Sequence, residues 1–246
     1  MKKSIILSAI AVMMIMLCLP VSACVGSRPY GMGGAFTPIA DSPEAVYWNP
    51  AGLGRLKNDY ISLTYSEGCN YRLFLAYTHR NVGFWHVQQV KYNGDNYVPY
   101  GTWFCFSAGF GNNPYFGFSL KGQYYINREL LQVNPDFGFM WDIDGCSIGV
   151  LVQYYYKDLY MIRPGISTKI GKLTMGVGIY PLSPYKDNAL FGLEYDMNPV
   201  AIRTGYYMGI ITFGAGLKTN ILSLDFNYWP NKDPAPSWGL GMTIKL

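Results

Sequence analysis

The stretch GSRPYGMGGAFTPIADSPEAVYWNPAGLGRL, residues 26–56, decides how the rest of the chain is interpreted. It is rich in glycine and proline and contains one short helix signal, so it is too irregular to form a strand. From about residue 58 to residue 246, apolar and polar positions alternate, and tyrosine and glycine are frequent. A compact segment followed by an even series of strands predicts an all-β barrel with a small N-terminal plug in its lumen.

The first residues have the pattern of a signal peptide. Lys2 and Lys3 precede an uncharged apolar run over residues 4–19, which Pro20 ends before the small residues at 21–23. The run is shorter than the roughly 20 residues that a membrane-spanning helix needs. We therefore expect export, with a signal peptide at 1–23, a plug at 24–57 and a barrel at 58–246.

The cysteines leave two questions open. Residues 21–24 fit both ordinary cleavage and a lipoprotein box, in which Cys24 would carry a lipid. Cys69, Cys105 and Cys146 are widely spaced and no CxxC pair occurs, so neither a metal knuckle nor a dithiol redox motif is predicted. A disulfide remains open, because connectivity does not follow from sequence. We predict no metal and no cofactor.

Composition places the predicted barrel in a membrane. Half of the residues are apolar, yet no apolar run of helix-spanning length follows the leader, which excludes a helical membrane protein. Aromatic residues make up 17% and charged residues 14% of the chain, whereas soluble domains have about 25% charged residues. Aromatic girdles of an outer-membrane barrel explain this bias, and they predict the outer membrane of a bacterium with two membranes, with its lipid as a partner. The net charge of +4 is not clustered, so no nucleic-acid partner is expected.

Alternation is clearest in four segments, each with one apolar and one small or polar face. The apolar faces are Leu222/Leu224/Phe226/Tyr228, Ile211/Phe213/Ala215/Leu217, Phe118/Leu120/Tyr124 with Gly122, and Ile148/Val150/Val152/Tyr154. Isolated charges such as Lys121, Asp225 and Lys245 lie on the opposite faces, as expected for a lumen. The segments are about nine to eleven residues long, which suits strands that cross a bilayer at a tilt.

Turn signals divide the chain into about 14 strands that start near Asp59. The signals are Asn93–Asn96, Asn112–Pro114, Asn134–Asp136, Asp144–Gly145, Pro184–Asn188, Asn198–Pro199 and Pro230–Pro236. A single-chain bacterial barrel closes antiparallel with an even number of strands. The connections are short throughout, so large surface loops are not expected.

The C-terminus alternates to its last residue. Gly241, Ile244 and Leu246 resemble the terminal strand signal that outer-membrane assembly machinery reads, with leucine in place of the common final phenylalanine. We therefore expect that machinery to be a partner during biogenesis.

Two helix starts are predicted within the plug. Asp41, Pro43 and Glu44 form a capping pattern with proline in the first turn. Pro50 disfavours the helical conformation at Asn49, so this helix is short, and Asn49 is placed to cap a second turn.

The plug motifs resemble those of the FadL/PorV superfamily of outer-membrane barrels. The matching stretches of the plug are 31–36 (GMGGAF), 40–41 (AD) and 47–53 (YWNPAGL). Nearer the C-terminus, the stretches 202–205, 213–217 and 224–228 resemble PorV-type members. The chain is therefore similar to a short PorV/PorQ-like protein. The resemblance covers both ends of the chain. Between them only the general strand pattern agrees.

The resemblance implies a 14-stranded barrel with an N-terminal hatch. In FadL-type members hydrophobic molecules such as fatty acids bind inside, which implies passage of small hydrophobic compounds here. Met32, Phe36, Val46 and Trp48 would then form the binding pocket. The plug hinges would lie in the motif Gly31, Gly33, Gly34, Asn49, Pro50 and Ala51. One alternative is a PorV-like protein that docks exported proteins to secretion or surface-attachment machinery. Another is a purely structural barrel whose pore stays plugged.

No catalytic residues are predicted. The two histidines are His79, at a predicted turn, and His86, in a strand candidate. A barrel phospholipase needs a serine beside its histidine, and only Ser62 and Ser107 are candidates near His86. No serine motif supports that pairing, so we predict that the protein is not an enzyme.

Overall fold

A computed structural model describes residues 25–67, 71–92, 97–126, 130–156, 159–180, 188–230 and 236–246. The signal peptide and Cys24 lie outside the described residues. Within these ranges no helix has the length and apolar character to cross a membrane. The strands form one closed antiparallel barrel, in which the last strand pairs with the first.

The barrel has fourteen strands in the described part of the chain, which confirms the predicted number. They are β1 Tyr60–Glu67, β2 Tyr71–His79, β3 Val82–Tyr92, β4 Tyr97–Gly111, β5 Tyr115–Tyr125, β6 Leu130–Ile143, β7 Cys146–Tyr156, β8 Leu159–Ile170, β9 Leu173–Ile179, β10 Ala189–Asp196, β11 Val200–Tyr207, β12 Ile210–Lys218, β13 Leu222–Trp229 and β14 Ser237–Lys245. We call the end where β1 begins and β14 ends the terminal end, and the opposite end the distal end.

The predicted faces are those of the structure. On β12, Ile211, Phe213 and Leu217 are exposed, while Thr212 and Gly214 are buried. The outer surface carries many large apolar side chains, including Phe106 and Ile166, which are 61% and 51% exposed. Leaving such an apolar surface in water is unfavourable, whereas lipid accommodates it. The chain is therefore an outer-membrane barrel, with lipid around it.

The predicted turns are confirmed where the structure describes them, with one exception. Asn113, Asp144 and Asn198 each lie in a tight connection at the terminal end, with positive φ. The predicted turn at Asn134–Asp136 is wrong, because these residues lie inside β6. Asp136 is buried and accepts hydrogen bonds from the Lys121 ammonium at 3.1 and 3.2 Å, so the ion pair holds this segment in the wall. The signals at 93–96, 184–187 and 231–235 lie outside the described residues.

The plug segment precedes β1 and contains three short helices. These are α1 Ser27–Gly31, α2 Ala45–Trp48 and the 3₁₀ helix η1 Pro50–Arg55. The predicted cap at Asn49 is confirmed, since its side chain accepts a hydrogen bond from the Ala51 N–H at 3.2 Å. The cap predicted at Asp41 is wrong, because α2 begins later and the Asp41 carboxylate pairs with Arg28 instead.

The plug contacts the wall through a belt of glycines. Nine consecutive strands of the described barrel, β4 to β12, each contribute one glycine at which an added β-carbon would lie less than 3.0 Å from the plug backbone or the Pro38 ring. On β3, Gly83 approaches only the Val46 side chain. We call this set the glycine belt: Gly109, Gly117, Gly138, Gly149, Gly165, Gly176, Gly192, Gly205 and Gly214. Five of the eight neighbouring pairs of members lie directly opposite each other across the sheet, as Gly109 does with Gly117 and Gly192 with Gly205. Because these positions lack a side chain, the plug backbone approaches the wall backbone directly.

The plug follows the belt around the inside of the barrel. Gly31 lies against β12, Ala35 against β9 and Pro38 against β7 and β8. After the chain crosses the lumen, Asn49 lies against β6 and Ala51 against β5. The segment therefore forms a ring that contacts most of the wall.

A side chain in the belt is expected to displace the plug. In Gly205→Val the new Cβ would meet backbone atoms of Met32 and Gly33, neither of which moves easily. Overpacking of this kind typically costs about 1–3 kcal/mol, so we expect a lower thermal unfolding temperature in detergent. Ala215→Val places the same side chain on the exposed outer face of β12 and should leave that temperature unchanged. Equal stability of the two variants would contradict the close contact.

Candidate functional site in the plugged lumen

The four residues predicted to bind ligand lie together in one buried cluster. Met32 and Phe36 are fully buried, and Val46 and Trp48 are 1% exposed. The Trp48 indole N–H donates to the Val25 carbonyl at 2.9 Å, and the Val46 carbonyl accepts from the Trp85 indole at 3.0 Å. A ligand reaches these side chains only after the plug moves, because their neighbours enclose them. Their binding role remains a prediction.

Aromatic side chains from the plug and the wall form a floor at the distal side of the plug. The Tyr30 ring lies 5.4 Å from Trp48 and 4.8 Å from Trp229, with edge-to-face geometry. Tyr207 lies 5.7 Å from Tyr30 and 5.0 Å from Trp229. Tyr207 and Trp229 end β11 and β13, so the cluster faces the distal half of the lumen. We call Tyr30, Trp48, Tyr207 and Trp229 the aromatic floor.

A buried arginine lies against this floor. The Arg163 guanidinium on β8 is 4.7 Å from the centre of the Trp48 ring and 4.9 Å from that of Tyr180. Its Nε has no hydrogen-bond partner, and among the described residues no carboxylate forms an ion pair with it. Attraction to the two rings therefore offsets part of the desolvation of this cation.

The predicted hinge residues are in close contact with the wall. Gly33 and Gly34 have φ of 58° and 69°, a conformation that favours glycine. The Gly33 N–H donates to Thr212 Oγ1 at 3.1 Å, and the Asn49 amide donates to the Thr37 and Phe139 carbonyls. Gly31, Pro50 and Ala51 lie against Gly214, Gly138 and Gly117. Whether these residues act as hinges stays a prediction.

A charged network fastens the start of the plug to β10, β11 and β13. The Arg28 guanidinium donates to both Glu194 oxygens at 2.8 Å and to Asp41 at 2.6 Å. Arg203 donates from Nε to Glu194 at 2.5 Å and pairs with Asp225 at 2.7 Å. Buried Arg203 and largely buried Arg28 thus each have two carboxylate partners, which is the condition under which buried charges are tolerated.

Glu44 lies beside this network, and no cation of the described residues donates a hydrogen bond to it. Its carboxylate is buried and accepts hydrogen bonds from the Ser62 hydroxyl at 3.2 Å and the Ser42 hydroxyl at 2.5 Å. Burial raises the pKa of Glu44, and the nearby charge of Asp225 adds to this, while the bond from Ser42 and the charge of Arg28 oppose it.

The structure does not bring His86 together with either candidate serine. His86 lies between inward-facing Trp85 and Val87 on β3, so its ring points to the outer face, where Nε2 is 2.6 Å from Thr102 Oγ1. Ser62 and Ser107 point inward and bond to Glu44 and to the Val46 carbonyl. His79 lies at the terminal end, where its Nδ1 is 2.8 Å from Asp59, and the Arg80 backbone N–H and this histidine lower the pKa of Asp59.

The thiols and carboxylates form no further site in the described chain. Cys105 is buried and Cys146 exposed, and both are free. Among the described residues, no group of three or more metal-ligating side chains is close enough to hold an ion. Asp142 pairs with Arg55 of the plug and accepts a hydrogen bond from Ser147.

Comparison with known proteins shows which solved structures share this architecture. No family model and no curated protein matches the sequence. Among solved structures, the chain is similar to the toluene transporter TbuX of Ralstonia pickettii, with a TM-score of 0.57 and 12% identity over 89% of this chain and 97% of TbuX. A FadL homologue of Pseudomonas aeruginosa aligns with a TM-score of 0.49 and 12% identity, covering 92% of this chain and 97% of the homologue.

The chain has the fold of an outer-membrane β-barrel of the FadL type. The predicted resemblance is thereby confirmed for the fold, which is all that 12% identity shows. The PorV-type part of the resemblance is not confirmed.

Sequence reasoning missed the wall residues of the site. Arg163, Glu194 and Arg203 are single charges on the inward face of strands whose outward neighbours are apolar. The same pattern predicted that Lys121 and Asp225 face the lumen, and it would have predicted this for Arg163, Glu194 and Arg203 as well. The sequence does not identify Tyr207 and Trp229 as lumen residues, because aromatic residues at strand ends are also typical of lipid-boundary girdles.

Loss of the central carboxylate should destabilise the protein strongly. In Glu194→Gln, Arg28 and Arg203 lose the negative charge that they share and one of its two acceptor oxygens, and breaking a buried ion pair typically costs about 3–5 kcal/mol. We expect a clear fall in thermal unfolding temperature. Asp144→Asn, in an exposed turn, is the control and should unfold like the wild type. A Glu194→Gln variant as stable as the control would show that the network does not hold the plug.

Glu44 predicts a specific pH dependence. Its raised pKa means that the folded protein binds this proton more tightly than the unfolded chain, so its ionisation lowers stability as pH rises above the ordinary pKa of a glutamate. Glu44→Gln cannot ionise and should remove this part of the decrease. Unfolding temperatures of both proteins across acidic to neutral pH test this, and parallel curves would contradict it.

Proposed function

We propose that the protein passes small hydrophobic compounds across the outer membrane. The supporting observation is the aromatic floor: a closed, lipid-embedded barrel carries a packed apolar and aromatic surface on a plug in its lumen. Such a surface binds apolar molecules by contact area and ring stacking, and the Arg163 guanidinium beside it is stacked on the Trp48 and Tyr180 rings. TbuX, which shares the fold, is a toluene transporter.

In this proposal some plug residues contact the ligand and others allow the plug to move. Met32, Phe36, Val46 and Trp48 form the apolar surface that a ligand meets once the plug moves. The left-handed Gly33–Gly34 pair and the Asn49–Pro50 junction border the part of the plug that crosses the lumen, where rotation would displace it. Docking of exported proteins remains an alternative prediction, and no contact in the described part of the chain favours it.

Uptake of toluene tests this function. Cells of an impermeable host that express the protein should take up labelled toluene faster than cells with an empty vector. Trp48→Ala removes the centre of the floor and should alter that rate, whereas Trp141→Ala, which removes a tryptophan 44% exposed on the outer wall, should not. Uptake no faster than with the empty vector, at equal amounts of folded barrel, would overturn the proposal for this class of compound.

A further inference from the structure

One side of the plug–wall contact differs from the glycine belt. Facing the plug on β13, β14 and β1 is a column of small polar residues and glycines, which we call the polar seam: Ser62, Thr64, Ser66, Asn227, Gly239 and Gly241. Thr64 pairs with Gly241, and Ser66 with Gly239. Ser27 of α1 lies over this column at Gly241, where an added β-carbon would be 3.3 Å from Ser27 Cβ.

Three side chains of the seam, together with Ser27 above it, are buried without hydrogen bonds. Thr64, Ser66 and Asn227 are 0% exposed and Ser27 is 1% exposed. Among the described residues, none of the three hydroxyl groups has a partner, and neither does either polar atom of the Asn227 amide. The amide faces the seam, since Asn227 Oδ1 and Ser66 Oγ both lie where a β-carbon of Gly239 would be. Burying such a group without a hydrogen-bond partner is unfavourable, because its desolvation is not compensated.

Elsewhere the plug forms hydrogen bonds with the polar side chains of the wall. Thr212 Oγ1 accepts from the Gly33 N–H, Ser107 donates to the Val46 carbonyl, and Ser167 donates to the Pro38 carbonyl at 3.3 Å. Single unpaired atoms also occur elsewhere along the plug, at Thr78 Oγ1 and Arg163 Nε, whereas in the seam three neighbouring side chains are unpaired together. Polar groups that the plug leaves unpaired are groups that water would pair.

The seam is continuous with a polar cavity at the terminal end. This cavity, of about 170 Å³, is bordered by Glu44, Asp225 and Thr243. From there the Thr243 hydroxyl donates to Ser62 Oγ at 3.0 Å, and Ser62 donates to Glu44. Hydroxyl and amide groups thus follow one another from the cavity along the wall toward the distal end.

We propose that the polar seam is a path for water and small hydrophilic solutes past the plug, closed at Gly241 by Ser27 and opened when residues 25–27 move off Gly241. The movement ends at Arg28, which is fastened to Glu194 and Asp41, and Ser27 Oγ makes no hydrogen bond within the described chain. It breaks the hydrogen bond from the Trp48 indole to the Val25 carbonyl. Gly26 has a positive φ of 84°, a conformation that favours glycine. In the open state water forms hydrogen bonds with the unsatisfied groups, and these bonds offset the packing energy that Ser27 gives up.

This path is separate from the route proposed for hydrophobic compounds. It uses strands β13, β14 and β1, and Trp48 keeps its place, although its indole loses the hydrogen bond to the Val25 carbonyl. Failure of toluene uptake therefore says nothing about the seam, and the reverse also holds.

A reversible disulfide tests the proposal. Ser27→Cys with Gly241→Cys brings two β-carbons to about the separation that a disulfide requires. The full chain is purified in a background with Cys24, Cys69 and Cys146 replaced by serine, and potassium chloride currents are recorded in planar lipid bilayers. The background protein should conduct in both redox states. The double variant should be silent when oxidised and conduct after reduction.

Either of two results would overturn the proposal: no current from the background protein, or equal currents from the oxidised and reduced double variant. If the disulfide does not form, Asn227→Leu decides instead, because it replaces the amide with an apolar group of similar size. It should abolish the current, while Thr212→Val, at a satisfied contact with the plug, should not. An Asn227→Leu protein that conducts like the background protein would refute the path.

Discussion

Direct contact between the backbone of the plug and the backbone of the wall is the constraint on which this structure depends. It requires that nine strands in succession carry no side chain at one height of the lumen. A small barrel is normally filled by inward side chains. Here those side chains are missing at one level, and a ring of irregular chain takes their place. The charged network and the aromatic floor are both built on that ring.

Fixing the plug by backbone contact also explains why its two faces differ. At the terminal end, Arg28 and Arg203 share Glu194 within hydrogen-bond distance, so the plug is held by directional, charge-assisted bonds. At the distal side, Tyr30 and Trp48 pack with rings from the wall. The first face gives a fixed position, whereas the second gives an adaptable apolar surface.

The sequence predicts the barrel well, because alternation, turn residues and strand length all report on local geometry. The faces of β5 and β12 and the cap at Asn49 follow from such local rules. Those rules gave a wrong turn at Asn134–Asp136, because the buried ion pair between Asp136 and Lys121 on the neighbouring strand outweighs the turn preference of the segment. The site depends on contacts between residues far apart in the chain, such as Arg28 and Glu194 or Ser27 and Gly241. No pattern of spacing within one strand reveals such a pair, and for that reason only the plug half of the site was predictable.

The glycine belt has a consequence for how such a protein can diverge. Inserting or deleting two residues in a strand preserves the alternation of its faces, yet it moves the strand's glycine off the belt and brings a side chain into the path of the plug. Changes of length are therefore tolerated in the strand segments and loops beyond the belt, but not between it and the terminal end. Relatives that share this architecture should keep constant spacings between each glycine and its terminal turn while almost every other position varies.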